Sequence, residues 1–290
     1  MSNVYEIVTE KIIAQLESGV APWSRPWRSE PPVNLVSQKA YRGLNIFLLG
    51  SQGLGSKYWL TFNQANKLGG HVKKGEKSSL VIFWNIGEEK TRVNPETGKE
   101  SKSKPILLRY YSVFNLTQTE GIAEKLGLDK RVPVVPSLTD CEAILAAMPN
   151  PPKREQSSKA WYKPSNDVVG MPARELFGTV EGYYATLFHE LVHSTGHASR
   201  IGREGIEQLN TFGSELYSKE ELIAEMGASM LAGVCGISPA VIDNSAAYLA
   251  NWIRVLKGDS KLLVSAASQA QKAADFIRGL SKPAETEEEN

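Results

Sequence analysis

The sequence has 290 residues, of which 41% are hydrophobic and 22% are charged, and its formal net charge is +1. This length and hydrophobic content predict two folded domains with real cores. No apolar run approaches the roughly 18 residues that cross a bilayer, and the N-terminus lacks the pattern of a secretion signal, so we expect no membrane contact and a cytoplasmic location.

The charge distribution indicates which kind of partner the protein could bind, and the cysteine content restricts its disulfides and metal sites. Residues 1–117 carry 16 Lys and Arg against 9 Asp and Glu, a balance of +7, and the remainder carries 17 against 23, a balance of −6. This asymmetry suggests a polyanion as partner of the first half, although a solvated basic face would look the same. Cys141 and Cys235 lack a C-x-x-C spacing, so we expect two buried thiols and neither a disulfide nor a thiolate metal site.

The first half alternates periodic segments with proline-rich loops. Apolar residues at helical spacing predict a helix over residues 4–18, which Gly19 would end. The segments predicted after it are an extended loop over 22–32, short helices over 44–50 and 61–68, strands over 79–84 and 106–114 that form a hairpin, and a mobile charged loop over 88–104.

A composition shift over residues 117–136 predicts a connection between domains, which gives the boundaries 1–130 and 137–282 and leaves a disordered acidic tail over 283–290. The second half then predicts a helix over 138–148, a loop over 149–166, a strand over 167–172, a helix over 180–193, a helix from Ser218, and further helices to about residue 280. The predicted fold class is α+β, with an α+β N-terminal domain and a mostly helical C-terminal domain. The sequence contains no internal repeat.

Three of the four histidines fall within nine residues, as His189, His193 and His197. On a helix, His189 and His193 project from one face and can bind one cation, while Glu190 stands beside the open coordination position as a general base. This His-Glu-x-x-His pattern is typical of zinc hydrolases. The helix is otherwise mostly apolar, and burying such a polar cluster without a metal would be costly, so a pair of surface histidines is the weaker interpretation.

A catalytic zinc takes three protein ligands, so a third must come from elsewhere. The position six residues after His193, where a metzincin has its third histidine, is Ser199. His197 could share the metal face only if the helix continued through Gly196. We therefore expect His197 to support a ligand, cap the helix or face a substrate.

The helix predicted from Ser218 offers Glu221 and Glu225, one turn apart on one face, so one carboxylate can bind the metal while the other bonds a ligand histidine. This two-helix arrangement resembles the gluzincin metallopeptidases, and the resemblance implies that Glu221 is the ligand and that Glu225 orients an imidazole. A competing interpretation makes Ser218 and Glu221 a capping box, which would leave Glu225 as the ligand.

Cations interleave with aromatic rings in the first half, an arrangement by which proteins stack the bases of single-stranded nucleic acid and neutralise its phosphates. Tyr58, Trp59 and Trp84 are expected in the core. The candidate DNA-binding residues are Trp23, Arg25, Trp27, Arg28, Lys39, Tyr41, Arg42, Lys73, Lys74 and Lys77.

Five segments carry a resemblance to a known family: 21–23 (APW), 41–45 (YRGLN), 58–65 (YWLTFNQA), 69–77 (GGHVKKGEK) and 183–197 (YYATLFHELVHSTGH). Together they resemble the ArdC-type antirestriction proteins of conjugative plasmids, whose N-terminal domain also occurs in TraC-type plasmid primases. The resemblance implies an N-terminal domain that binds single-stranded DNA, a C-terminal zincin-like domain, and a role in shielding newly transferred DNA from host restriction.

The leading hypothesis is therefore a single-stranded-DNA-binding protein with a metallopeptidase site that holds Zn²⁺, with Mn²⁺ as the alternative metal, and acts on an unidentified protein substrate. In a second hypothesis, DNA coating alone gives protection and the metal is structural. A metal-dependent nuclease is a third, weaker hypothesis, because that chemistry usually uses carboxylate-rich Mg²⁺ sites.

Overall fold

The computed structural model describes residues 3–24, 31–86, 90–93, 100–103, 106–128, 137–203, 206, 215–237 and 246–280. Its N-terminal part combines sheet and helices and its C-terminal part is mostly helical, which confirms the predicted α+β class. Within the described residues, no helix is both long enough and apolar enough to cross a bilayer.

The N-terminal helices agree with their sequence signals. Helix α1 (Val4–Glu17) is preceded by its N-cap residue Asn3, whose side chain accepts a hydrogen bond from the Glu6 amide in a capping box. It ends before Gly19, which has a φ of +88° that few other residues adopt. Helices α2 (Leu44–Gly50) and α3 (Phe62–Lys67) also confirm the prediction.

The N-terminal strands form one four-stranded sheet, of order β1-β2-β7-β4, and two separate pairs, β3 with β8 and β5 with β6. The predicted hairpin is confirmed as β4 paired antiparallel with β7. The loop expected over 88–104 is partly wrong, because β5 and β6 pair within it. The strands are β1 (Val33–Asn34), β2 (Tyr58–Leu60), β3 (His71–Val72), β4 (Ser79–Ile86), β5 (Lys90–Val93), β6 (Glu100–Ser103), β7 (Ile106–Asn115) and β8 (Thr119–Glu120).

The predicted connection over 117–136 begins too early. Its first residues form a 3₁₀ turn, Leu116–Gln118, and strand β8, which pairs back with β3. Residues 129–136 and the tail over 283–290 lie outside the described residues.

The C-terminal part opens with α4 (Leu138–Ala147) and a small sheet of order β10-β11-β9. The expected strand over 167–172 is confirmed as β11 (Val168–Met171), but β9 (Lys153–Gln156) and β10 (Trp161–Lys163) lie in a segment predicted as a loop. Strand β9 is exposed throughout, so it has no hydrophobic alternation to reveal it. The remaining helices are α5 (Val180–Ser194), α6 (Glu215–Val234), α7 (Ala246–Gly258) and α8 (Leu262–Ile277).

The main hydrophobic core joins the two parts of the chain. Val8, Ile12 and Leu16 of α1 lie in the same buried cluster as the apolar faces of α5, α6, α7 and α8. Helices α5 and α6 pack closely at Gly227, where an added Cβ would come within 2.7 Å of a Val192 methyl carbon. This close approach sets the distance between the two helices that carry the predicted metal ligands.

Candidate metal centre

Three side chains of types that can bind a metal converge where α5 packs against α6. Nε2 of His189 lies 3.1 Å from Nε2 of His193, and these nitrogens lie 3.5 and 3.6 Å from the two carboxylate oxygens of Glu221. All three ligand atoms lie within 4.8 Å of one another. The side chains of His189 and Glu221 are each 26% exposed, which leaves one side of the cluster open to solvent. Two imidazoles, one carboxylate and an open side match the donor set of a catalytic zinc site.

The capping-box interpretation of the second helix is wrong. Helix α6 begins at Glu215, so Ser218 lies inside the helix and Glu221 has no terminus to cap. Of the two acidic residues one turn apart, Glu221 contacts the imidazoles, whereas Glu225 makes its hydrogen bonds elsewhere. The structure therefore brings His189, His193 and Glu221 together, as the gluzincin-like alternative predicted.

Glu220 takes the orienting position that the sequence analysis gave to Glu225. Its Oε1 lies 3.4 Å from Nδ1 of His193, the nitrogen that faces away from the ligand cluster. Arg203 holds Glu220 from the other side, with its Nε donating to Oε2 at 3.0 Å. The same guanidinium donates to Thr195 Oγ1 at 2.6 Å and to the Val192 carbonyl at 2.8 Å, which ties Glu220 to the C-terminal end of α5. This chain of contacts fixes the orientation of the His193 ring.

Glu225 is bonded to aromatic residues, which corrects its predicted role. The Trp23 indole donates to Oε2 of Glu225 at 2.7 Å, and the Tyr248 hydroxyl donates to the same oxygen. Glu225 is buried, and this burial raises its pKa to about 7 against the effect of those hydrogen bonds. Glu225 therefore connects α6 to the N-terminal segment and to α7 and does not contact a ligand histidine.

The acidic residues at the site have divergent proton affinities. Burial, opposed by the neighbouring imidazoles, raises the pKa of Glu190 above its ordinary value. Burial acts on Glu221 in the same direction, but hydrogen bonds with His189 and Tyr217 and the nearby His193 charge outweigh it and lower the pKa to about 2. A carboxylate that stays ionised suits a metal ligand, whereas a carboxylate with a raised pKa suits proton transfer.

His197 does not support the ligand cluster, which corrects a second prediction. Its Nδ1 lies 2.8 Å from the Ser199 hydroxyl, and the Ser199 amide donates to the same nitrogen at 3.2 Å. The helix ends at Ser194, before Gly196, so His197 cannot share the face of His189 and His193.

Two of the proposed DNA-binding aromatic residues are buried. Trp23 has no exposed surface, and its ring packs edge-on against Trp252 with centroids 6.0 Å apart. Tyr41 is also buried, and its hydroxyl accepts a hydrogen bond from Asn34 at 3.3 Å. The prediction that these rings stack on bases is therefore wrong for this structure, because neither ring offers a free face.

The proposed DNA-binding cations differ in whether their side chains are bonded within the protein or exposed to solvent. Arg42 forms an ion pair with Asp275 of α8, and Lys73 donates to the Thr117 carbonyl at 3.0 Å. Exposed positions are occupied by Lys39, Lys74 and Lys77. The prediction for Arg25, Trp27 and Arg28 falls on residues outside those that the structure describes.

Sequence reasoning missed Glu220 and Arg203. Glu220 immediately precedes the predicted ligand Glu221, and adjacent helical residues point in different directions, so a shared face gave no signal for Glu220. Arg203 lies beyond the end of α5 and reaches Glu220 only after the chain turns back. Trp84 was also misplaced, since it is 48% exposed, whereas Trp59 is buried as expected.

Family models match both parts of the chain. Residues 2–114 match the N-terminal domain of anti-restriction factor ArdC, and residues 140–269 match a zincin-like metallopeptidase domain.

Solved structures agree with these matches. The metal-free crystal structure of the antirestriction ArdC protein from the R388 plasmid is 37% identical, with a TM-score of 0.75 and coverage of 96% of this chain and 97% of that chain. The Mn(II)-bound structure of that protein gives 35% identity and a TM-score of 0.74 over the same shares of the two chains.

Curated relatives include two long proteins and one of similar length. The chain is 34% identical to two Escherichia coli proteins named DNA primase TraC over 94% of its own length, but it spans only 27% and 20% of theirs. It is 32% identical to the uncharacterized protein y4eC of Sinorhizobium fredii (strain NBRC 101917 / NGR234), over 99% of this chain and 95% of that protein.

Proposed function

The chain belongs to the ArdC family of antirestriction proteins, and we propose that it binds single-stranded DNA, protects conjugatively transferred DNA from host restriction, and hydrolyses peptide bonds at its metal centre. The observation that carries the hydrolytic part is the convergence of the His189, His193 and Glu221 atoms within 4.8 Å of one another. Glu190 lies on α5 near enough to all three for their charges to affect its carboxyl group.

The donor set fits a divalent metal ion. Imidazole nitrogen and carboxylate oxygen suit Zn²⁺ in hydrolases, and the same ligands accept Mn²⁺. A divalent ion held by His189, His193 and Glu221 would supply a Lewis acid that polarises a peptide carbonyl and makes water a better nucleophile. We propose Zn²⁺ as the resident ion.

Glu190 moves the proton in this proposal. Its carboxylate accepts a proton from the attacking water and returns it to the departing amine. Burial of Glu190 favours this cycle, because a carboxyl group whose pKa is raised toward neutrality can both take and give a proton. Removing such a group typically costs about 10²- to 10⁴-fold in rate.

Two neighbouring residues hold the ligands in position. Glu220 contacts Nδ1 of His193 and so favours the tautomer whose Nε2 has a free lone pair for the metal. Tyr217 bonds Glu221 from one turn earlier in α6, and burial together with this carboxylate raises the Tyr217 pKa to about 12, which keeps its proton in place.

Single-stranded DNA is the partner proposed for the N-terminal half. The balance of +7 over residues 1–117 and the exposed Lys39, Lys74 and Lys77 support binding to a polyanion. The alternative function, DNA coating with a structural metal, uses the same surface but requires no proton transfer by Glu190.

The proposal is tested by transferring a restriction-sensitive plasmid into a restricting host that already contains the wild-type protein, Glu190→Gln or the surface control Glu175→Gln. We expect the wild type and Glu175→Gln to raise plasmid survival and Glu190→Gln to lose that protection. Full protection by Glu190→Gln would replace this proposal with the DNA-coating alternative. No protection by the wild type would refute the antirestriction role itself.

A further inference from the structure

The β4–β7 hairpin carries exposed rings on both faces of its outer end. In an antiparallel pair, directly opposed residues share a face, so Phe83 lies on the same face as its partner Arg109. Tyr111 opposes Val81 and Leu107 opposes Asn85, which places both on that face as well. We call Phe83, Leu107, Arg109 and Tyr111 the ribbon face.

One end of the ribbon face is packed against the domain, and the other end is exposed to solvent. Val81 and Val113 on the same face are buried in a small cluster with Trp59. Farther along, Phe83 and Tyr111 are each 45% exposed, and their rings lie 5.7 Å apart in an edge-to-face arrangement. Leu107 is 52% exposed. Two rings are thus held in fixed positions with part of each surface in solvent.

The ring contact with Tyr41 supports this arrangement from within the domain. The Tyr41 centroid lies 6.2 Å from that of Phe83, and Tyr41 itself is buried. The segment around Tyr41 also contains Lys39 and Arg42 of the predicted DNA-binding set, whereas the exposed rings of the ribbon face were not among the predicted residues. Lys39, two residues before Tyr41, is exposed.

The opposite face of the same strands has a different environment. Trp84 and Tyr110, which are 48% and 50% exposed, lie on that face. The Trp84 ring lies 6.3 Å from Tyr5 of α1 and lines a cavity of about 810 Å³ whose other wall is α8. This second face is turned toward the C-terminal helices, whereas the ribbon face combines two rings and a guanidinium.

We propose that the ribbon face is the platform on which single-stranded DNA stacks, with Phe83 and Tyr111 contacting bases and Arg109 contacting a phosphate. The inference rests on the proposed function, and it names the site. A single strand is the occupant because its bases are free to stack on aromatic rings, while the positive balance of the N-terminal half attracts its backbone. An apolar protein partner would gain little from Arg109, which lies opposite Phe83 on the same face.

Four aromatic residues of similar exposure on the two faces provide matched variants. The affinity of the full-length protein for a labelled oligothymidylate is measured by fluorescence anisotropy for the wild type, Phe83→Ala/Tyr111→Ala and Trp84→Ala/Tyr110→Ala. Each stacked base contributes roughly 1–3 kcal/mol, so we expect a loss of about 5- to 150-fold for each ring removed from the ribbon face. The pair on the opposite face should change the affinity by less than about threefold on this account.

Equal losses in both pairs, a loss only in the Trp84 and Tyr110 pair, or no loss in either would overturn the proposal. If the wild type itself fails to bind the oligonucleotide, the proposed DNA-binding function fails instead. Arg109→Gln provides a second test if the double variant does not fold. It should lower the slope of log affinity against log salt by about 0.7, and an unchanged slope would also overturn the proposal.

Discussion

Around the candidate metal centre the polar side chains are buried or half-buried and contact one another, whereas several cations of the N-terminal half are exposed to solvent. Glu220 contacts both His193 and Arg203, and Glu221 contacts both ligand histidines. Lys74 and Lys77 are exposed in the turn that precedes β4. Catalysis requires side chains in fixed positions, and a network of contacts holds them there. Attraction to a polyanion requires only a surface of suitable charge.

A buried hydrogen bond between Trp23 and Glu225 is among the contacts that join the two regions. Trp23 comes from the segment predicted to bind DNA and Glu225 from the helix predicted to serve the metal, yet they bond to each other. Each was expected to act within its own region. Variants in the two regions should therefore differ in whether they change stability, metal binding or DNA binding.

The largest effect should follow from Trp23→Ala. Removing a fully buried indole leaves a cavity and takes one hydrogen bond from Glu225, so we expect the free energy of unfolding to fall by about 3–5 kcal/mol. Urea denaturation measures the change, with Leu176→Ala, an exposed leucine, as the control that should stay within about 0.5 kcal/mol. If Trp23→Ala kept its stability but lost affinity for DNA, this prediction would be wrong and Trp23 would belong to the DNA-binding surface.

Glu225 should make stability depend on pH. Its carboxyl group binds a proton more tightly in the folded protein, with a pKa of about 7, than in the unfolded chain, where the ordinary value is 4.5. The stabilisation is complete below the lower value and is lost as the pH rises through about 7, so metal-free protein should lose about 2–3 kcal/mol between pH 5 and pH 8 relative to Glu225→Gln. Urea unfolding at both pH values measures this, and parallel pH profiles of the wild type and Glu225→Gln would contradict it.

Glu220→Gln should weaken metal binding without altering DNA binding. Loss of the carboxylate that orients a ligand histidine typically costs about 10- to 100-fold in metal affinity. Titration against a chelator measures the affinity, and Glu225→Gln, another buried carboxylate on the same helix, is the matched control. A larger loss in Glu225→Gln than in Glu220→Gln would restore the role first predicted for Glu225.

The smallest effect should come from Lys74→Ala/Lys77→Ala. If each lysine contacts one phosphate of a single strand, the slope of log affinity against log salt should fall by about 1.4 in magnitude. The control Lys159→Ala/Lys163→Ala removes two exposed lysines from the C-terminal part and should leave the slope unchanged. Equal slopes in the wild type and the first variant would exclude both lysines from the DNA path.

The sequence predicted those features that depend on spacing along one element. His189, Glu190 and His193 lie on α5, and the second helix brings Glu221 to them. The segments over residues 4–18 and 61–68 were likewise predicted as helices, and the structure contains both. Within α5 the relevant neighbours lie within about one helical turn, a distance at which sequence spacing determines contact, whereas the choice of Glu221 on another helix came from the gluzincin resemblance.

Features that depend on tertiary contacts were beyond the sequence. Nothing near Trp23 indicated that its indole would meet Glu225, 202 positions away. Trp84 was expected in the core but is exposed, and the alternation of strand residues between faces cannot show which outer surface another element covers. Strand β9 is exposed and polar, so its sequence has no strand pattern, and only its pairing with β11 identifies it as a strand.

The central claim is that His189, His193 and Glu221 bind one divalent ion, and calorimetric titration of Zn²⁺ and Mn²⁺ into metal-free protein tests it most directly. The wild type should bind one ion per chain at this site, Glu221→Ala should lose that binding, and Glu225→Gln should retain it. Undiminished binding by Glu221→Ala would contradict the assignment of the third ligand and, with it, this account of the site.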